Sequence, residues 1–354
     1  MGRKIVHVIG TGTIGEPLIG LLSDYSTPLG IDEVTFHKNS PLTYERAKVR
    51  DMIARGARLT VYKEAWEGFE KIGINPEFEA EEAIARAAVV IDCTPKGIGH
   101  QNKHKYYEKF SKTVRGFLAQ GSEHGFGLKY ARGINDIALK RNTNNFVQIV
   151  SCNTHNIASL TKTLGMIDGE DVLEEGKFVC IRRASDISQT SAFVSSPDVG
   201  RHGLKGYGTH HARDAVQLFQ TINYTPNLFS SAMKVNSQYM HIIWFNIRLK
   251  YQITLQNVLD KLENNPLIAL TEKTSASTVF SFGRDHGHYG RILNQTVVSV
   301  PTLAIHNRDI IGFCFTPQDG NSLLSSIAAS EYFLYPNSWE DKIQRLSHLF
   351  FSEV

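Results

Sequence analysis

The sequence predicts an α/β protein in two parts: a doubly wound parallel sheet, then an α+β region built on a mixed or antiparallel sheet. Three observations carry this prediction. Through the first 150 residues, short apolar segments alternate with helical stretches, as βαβ units require. A glycine-rich turn sits at the first strand–helix junction. From about Lys177 the apolar segments lengthen, and a helix no longer follows each one.

Taken in order, Lys4–Ile9 reads as a strand, and after the turn Leu18, Leu21, Leu22 and Tyr25 share one helical face. Glu33–His37 alternates as a second strand, and Leu42–Ala57 has helical spacing. Ala80–Ala87 predicts a helix feeding Ala88–Cys93, whose unbroken apolar run suits a parallel strand covered on both faces. Phe117–Gln120 and Asn145–Val150 read as two more strands. In the second part Lys177–Arg182, Met240–Arg248 and Thr296–Ile305 are the expected strands. The tail from Ser322 is helical until Pro336 breaks it. The expected divisions are 1–150, 151–315 and a helical segment 316–354 that packs back on the first part.

Composition narrows the classes. A chain of 354 residues exceeds one ordinary core, so two domains are expected. Lys+Arg 38 against Asp+Glu 35 leaves a net charge of +3, too balanced for a protein that wraps nucleic acid. A hydrophobic share of 42% with 21% charged residues excludes a disordered chain. No apolar run approaches the roughly 18 to 20 residues of a membrane span, and the start has no secretory h-region. Cys93, Cys152, Cys180 and Cys314 are scattered without a C-x-x-C pair, which argues against a zinc site or a disulfide framework. A soluble cytoplasmic protein without a metal is expected.

The turn Val8-Ile-Gly-Thr-Gly-Thr-Ile-Gly15 contains G-x-G-x-x-G at Gly10, Gly12 and Gly15. One glycine makes the tight turn, one admits a pyrophosphate close to the backbone, and one lets the helix pack near the strand. The helix N-terminus supplies amides for the anion. A dinucleotide site follows. An acidic residue at the end of the second strand would favour NAD, but that strand ends in His37-Lys38-Asn39. Lys38 either meets a 2′-phosphate, which admits NADP, or is a solvated loop lysine.

Cys152 follows an apolar strand and opens a helix, where free amides favour a thiolate. Cys93, Cys180 and Cys314 sit in apolar surroundings and read as core. A thiol nucleophile needs a base, and His155, His210, His211 and His241 are the histidines to weigh. His241 lies in an apolar strand, where a satisfied core histidine is the ordinary reading. The segment Arg201–Arg213 gathers cations and histidines among glycines; a phosphate cradle and a surface loop are equally open readings.

Together these segments resemble the archaeal-type glyceraldehyde-3-phosphate dehydrogenases. The turn is joined by Asp92-Cys-Thr-Pro-Lys-Gly-Ile-Gly99, similar to D-C-T-P-x-G-x-G, and by Gln120-Gly121-Ser122-Glu123, similar to Q-G-G-E. Ser151-Cys152-Asn153-Thr154 matches the nucleophile segment S-C-N-T; Arg182-Arg183-Ala184 resembles R-R-A. Thr209–Asp214 resembles S-H-H-G-P-D, and Met240-His241 resembles the M-H of the catalytic base.

The resemblance implies a Rossmann domain, a catalytic domain and a homotetramer. It implies oxidation of glyceraldehyde 3-phosphate through a Cys152 thioester, with His241 accepting a proton, hydride passing to NADP or NAD, and inorganic phosphate releasing the acyl phosphate. Cofactor contacts are then expected at Gly10, Gly12, Thr13, Ile14, Gly15, Lys38, Thr94, Gly121, Arg183 and Ser330. Substrate and phosphate contacts are expected at Ser151, Asn153, Thr154, His210 and His211, with Arg183 also a candidate. There are departures. His155 replaces a threonine after S-C-N-T, where it tunes the thiolate, replaces a phosphate contact or faces solvent. Ile243 replaces the second histidine of M-H-x-H, Ser330 replaces a glutamine near the cofactor, and Ala212-Arg213 replaces Gly-Pro. Other readings are an aspartate-semialdehyde type of dehydrogenase and a binding paralogue that contacts RNA through Arg201–Arg213.

Overall fold

The structure, a computed structural model, describes residues 2–121, 123–141, 144–167, 169–185, 193–317 and 319–354. It divides into two compact units. The first comprises Met1–Leu128, Arg141–Ile149 and Ser325–Ser347; the second comprises Lys129–Lys140, Val150–Leu324 and His348–Val354. Among the described residues no helix is long and apolar enough to cross a membrane.

The first unit is built on the strands β1 (Ile5–Ile9), β2 (Glu33–His37), β3 (Arg58–Val61), β4 (Phe78–Glu79), β5 (Val89–Asp92), β6 (Gly116–Gln120), the first residue of β7 (Leu128–Tyr130) and β8 (Phe146–Ile149). They form one sheet in the order β4-β3-β2-β1-β5-β6-β8-β7. β1 lies parallel between β2 and β5, so the chain reverses its direction of growth there. In doubly wound sheets that switch point is where ligands bind. Both faces are covered: Val6, Val8, Phe36, Val90 and Leu118 are fully buried. The predicted strands appear within a residue or so of the expected positions. The predicted helix 42–57 is shorter. Leu42 stays extended and a tight turn at Thr43–Glu45 leads into the α-helix Arg46–Ala54.

The second unit opens with the helix Cys152–Gly165 and a small hairpin of β9 (Met166–Ile167) and β10 (Glu170–Asp171). Its main strands are β11 (Leu173–Arg182), β12 (Asp198–Val199), β13 (Leu228–Lys234), β14 (Ile242–Leu249), β15 (Ile268–Thr271), β16 (Thr296–His306) and β17 (Asp309–Phe315). Their order is β12-β13-β11-β14-β17-β16-β15. The sheet is mixed, as expected: β11–β13 and β15–β16 run parallel and the other pairs antiparallel. The helix Cys152–Gly165 sets Ile157, Leu160 and Leu164 into a cluster with Phe178, Ile243, Phe245 and Ile247 of this sheet. That buried face fixes where the first residue of the helix lies. The expected tail helix forms over Gly320–Leu334, with a further helix, Trp339–Gln344, after Pro336.

Candidate active site

In the first unit the glycine turn is dictated by sterics. Gly10 has φ of 97°, and a Cβ there would stand 3.0 Å from the Cys93 carbonyl oxygen. A Cβ on Gly15 would meet the Gly10 carbonyl at 2.0 Å. Gly12, by contrast, faces open space, with nothing within 4 Å of the same test atom. Two glycines therefore build the turn and the third leaves room for a ligand, the division of labour a pyrophosphate requires. Thr13 and Ile14 follow, and Ile14 is the cap residue of the helix Gly15–Asp24. These residues fit a dinucleotide.

The other expected cofactor residues fare unevenly. Lys38 is nearly buried and pairs with Glu45, so it is not a solvated lysine. Thr94 donates from its hydroxyl and, at 2.9 Å, from its amide to Asp92, which makes it part of the turn's scaffold. Gly121 has φ of 55° and its carbonyl accepts from Gln148 at 2.9 Å; Ser122 lies outside the described residues. Ser330 is fully buried and donates to the Ser326 carbonyl at 2.8 Å, so its hydroxyl is occupied within its own helix.

In the second unit Ser151 is extended and caps the helix. Its Oγ accepts from the Thr154 amide at 3.4 Å and lies 2.9 Å from the Thr154 hydroxyl. Cys152 is the first helical residue and half-buried. The remaining cysteines are poor nucleophiles: burial pushes the Cys180 and Cys93 thiols up, and that of Cys314 to about 12. Two amides grip the Cys152 carbonyl, Asn156 at 3.4 Å and Asn321 at 3.1 Å, and Asn321 also donates to the Gln295 carbonyl at 3.0 Å. Asn153 is buried. Its amide reaches His211 Nε2 at 3.4 Å and its oxygen accepts from Thr316 at 3.3 Å.

His241 stands one residue before β14 begins, not inside a strand as expected. Its Nδ1 accepts the Arg183 amide at 3.0 Å, and its carbonyl accepts the Thr316 amide at 3.0 Å. Burial, with the Arg183 and Arg182 cations, lowers the imidazole to about 3, against the opposing pull of Asp319. The ring is therefore neutral at physiological pH. Because a backbone amide can only donate, the ring's one proton must sit on Nε2.

Arg183 departs from expectation. It is buried, and its guanidinium donates to Asp319 at 3.1 Å, so its charge is matched inside the protein and not offered to a phosphate. Burial would raise the Asp319 carboxyl, but Arg183 holds it below the usual range. His211 is also buried and neutral, lowered by burial and then by His210, Arg182 and His241. It serves through hydrogen bonds: Nδ1 lies 3.1 Å from the Thr209 hydroxyl, which meets Ser230 at 2.6 Å. His210 and Arg182 are exposed. Thr154 is fully buried. His155 is fully buried too, its Nδ1 3.0 Å from the Ser151 carbonyl and its imidazole lowered to about 4 by burial. It does not face solvent.

The segment Arg201–Arg213 is tied down. Leu204 and Gly208 exchange backbone hydrogen bonds, Ser230 donates to the Tyr207 carbonyl at 3.0 Å, and Arg213 pairs with Asp214 at 2.9 Å. Nothing in the sequence singles out Thr316, Asp319 and Asn321, which read as a loop before a helix; only the fold brings them against Asn153, Arg183 and Cys152.

The fold and the site define a class: a two-unit α/β chain with a dinucleotide-type sheet in one unit and, in the other, a helix-opening thiol and a buried, neutral histidine. Known proteins narrow it further. The chain is 27% identical to the glyceraldehyde-3-phosphate dehydrogenase of Methanobacterium bryantii over 297 residues, 80% of each chain. It is 26% identical to that of Sulfolobus acidocaldarius over 327 residues, 88% of this chain and 86% of the other. With glyceraldehyde-3-phosphate dehydrogenase 1 of Methanosarcina barkeri it shares 28% over 296 residues. No family model matches the chain. The chain is a divergent relative of the archaeal-type glyceraldehyde-3-phosphate dehydrogenases.

Proposed function

We propose that this chain is a phosphorylating glyceraldehyde-3-phosphate dehydrogenase, using NADP or NAD, and that it acts in the cytoplasm as a homotetramer. The observation that carries the reading is the second unit's wiring. A half-exposed cysteine opens a helix; the Thr316 hydroxyl donates to Asn153, the residue after it, and the Thr316 amide donates to the backbone carbonyl of His241.

Cys152 loses its proton to water, helped by the helix amides, and its thiolate attacks the aldehyde carbon. The electron pair of the carbonyl becomes an alkoxide. His241, carrying its proton on Nε2, donates a hydrogen bond to that oxygen, with the Asn153 amide as a second donor. His241 thus starts as a donor where the sequence suggested an acceptor, and no base is needed because the alkoxide holds no proton. A bound nicotinamide supplies the hydride acceptor for this carbon. Cys152 is then left as a thioester, and attack by inorganic phosphate releases the acyl phosphate and restores the thiolate. The exposed Arg182 guanidinium and the exposed His210 imidazole, beside His211, hold the phosphate groups.

Following nicotinamide reduction with glyceraldehyde 3-phosphate, with and without phosphate and with each cofactor, tests this. Phosphate-dependent turnover is expected. Turnover with another aldehyde alone, or none despite cofactor binding, would move the chain to another substrate or to the binding paralogue.

A further inference from the structure

Beside the glycine turn, three side chains form a charged knot that none of the roles above explains. Glu45 accepts from two lysines at once, Lys38 on one carboxylate oxygen and Lys48, at 2.6 Å, on the other. Lys48 also donates to the Thr11 carbonyl in the turn at 3.0 Å and lies 3.8 Å from Glu16. The Lys38 side chain is 9% exposed, whereas Glu45 and Lys48 keep 21% and 22%, so the knot is shut from within and open to solvent on its outer side. Burial alone would raise the Glu45 carboxyl, but hydrogen bonds from both lysines outweigh it and hold the group ionised.

The place matters. Lys38 follows β2, and in this fold the adenosine ribose of a dinucleotide lies at the end of that strand. Two ammonium groups converging on two oxygens of one anion is an arrangement that a phosphate monoester satisfies equally well, with about two negative charges and three acceptor oxygens. We propose that Glu45 is the residue that sets cofactor preference: it holds the position of a 2′-phosphate, and NADP must displace it from Lys38 and Lys48. The inference rests on the dinucleotide reading above. NAD is accepted with the knot closed, a ribose hydroxyl donating to the carboxylate, as an acidic residue does in NAD-preferring folds. NADP meets the carboxylate as a like charge and gains the lysines only after breaking two existing ion pairs. The sequence hides this, because the span 42–57 reads there only as a helix and nothing in it marks Glu45 or Lys48.

The test needs only binding. NADP⁺ and NAD⁺ are titrated separately, without aldehyde, into wild-type protein and Glu45→Gln by calorimetry. Glutamine keeps the shape and removes the charge. NADP⁺ is expected to bind about tenfold tighter to the variant, with NAD⁺ unchanged or slightly weaker. Adding Lys38→Met to Glu45→Gln removes the gain. Equal changes for both cofactors, or no change in their ratio, overturns the proposal while leaving the dinucleotide reading intact. Failure of the wild type to bind either one overturns both.

Discussion

The glycine turn of the first unit and the thiol centre of the second achieve precision by different means. The turn is fixed locally, by backbone angles and by atoms that a Cβ at Gly10 or Gly15 would strike. The thiol centre is fixed at long range: residues near 152, 183 and 241 are held by side-chain and backbone hydrogen bonds, with Thr316, Asp319 and Asn321 each reaching a different partner. A turn of the first kind survives most distant substitutions. A centre of the second kind is as strong as its most expensive buried contact, and the contrast can be broken or sharpened in four ways.

The largest effect falls on the proposed nucleophile. Cys152→Ala is expected to lower turnover by about three orders of magnitude or more while dinucleotide affinity stays within error, since the turn is independent of it. Steady-state rates and a cofactor titration check this. Appreciable residual turnover would remove Cys152 from its role.

Next comes the buried pair. Asp319→Asn leaves the Arg183 charge uncompensated beside His241, which costs about 3–5 kcal/mol by the usual penalty for a broken buried pair. Urea unfolding of Asp319→Asn, and of Arg183→Met with Asp319→Leu, separates charge from packing. The double variant recovers part of the loss; an Asp319→Asn variant as stable as the parent would refute the wiring.

The third concerns acid. His7 and His241 are lowered to about 3, His37 and His155 to about 4, all chiefly by burial. In the unfolded chain these rings take protons near 6.5. Their stabilising contribution is therefore complete above that pH and is lost as pH falls towards 4 and 3. Unfolding midpoints measured from pH 7 to 4.5 should fall steadily, in both units. A flat profile would mean that the rings are solvated.

The smallest effect is a gain. Glu331 is fully buried and raised by burial to about 8, with Lys342 and Lys4 only partly offsetting it. Its raised value means that it costs nothing below pH 4.5 and destabilises increasingly as pH rises from there towards 8. Glu331→Gln should raise Tm by about 2–4 °C at pH 8 and leave it unchanged at pH 4.5. A loss of stability at pH 8 would show that the carboxylate is satisfied.

The same contrast explains what could be read in the sequence. β1 and β5 announce themselves as apolar runs, β2 as an alternation and the turn as spaced glycines, because each is decided within a few residues. β3 and β15 are as short as β5 but mix polar residues into the run (Arg58 and Thr60; Thr271), and β4 has only two residues, so none shows a clear pattern. The nucleophile segment was legible as a cysteine opening a helix, and His241 through resemblance. The role of Arg183 was not, because nothing adjacent to it signals that Asp319 will meet it. Nor could the sequence say that His155 and His211 would be neutral, since burial, not residue type, decides that.

The central claim is a thioester on Cys152 that waits for phosphate. Mixing enzyme, cofactor and glyceraldehyde 3-phosphate without phosphate, and following nicotinamide reduction on the millisecond scale, tests it directly. One equivalent reduced per chain, then a halt that added phosphate relieves, with an acyl adduct on the peptide bearing Cys152, is the predicted result. Sustained turnover without phosphate, or an adduct elsewhere, would contradict it.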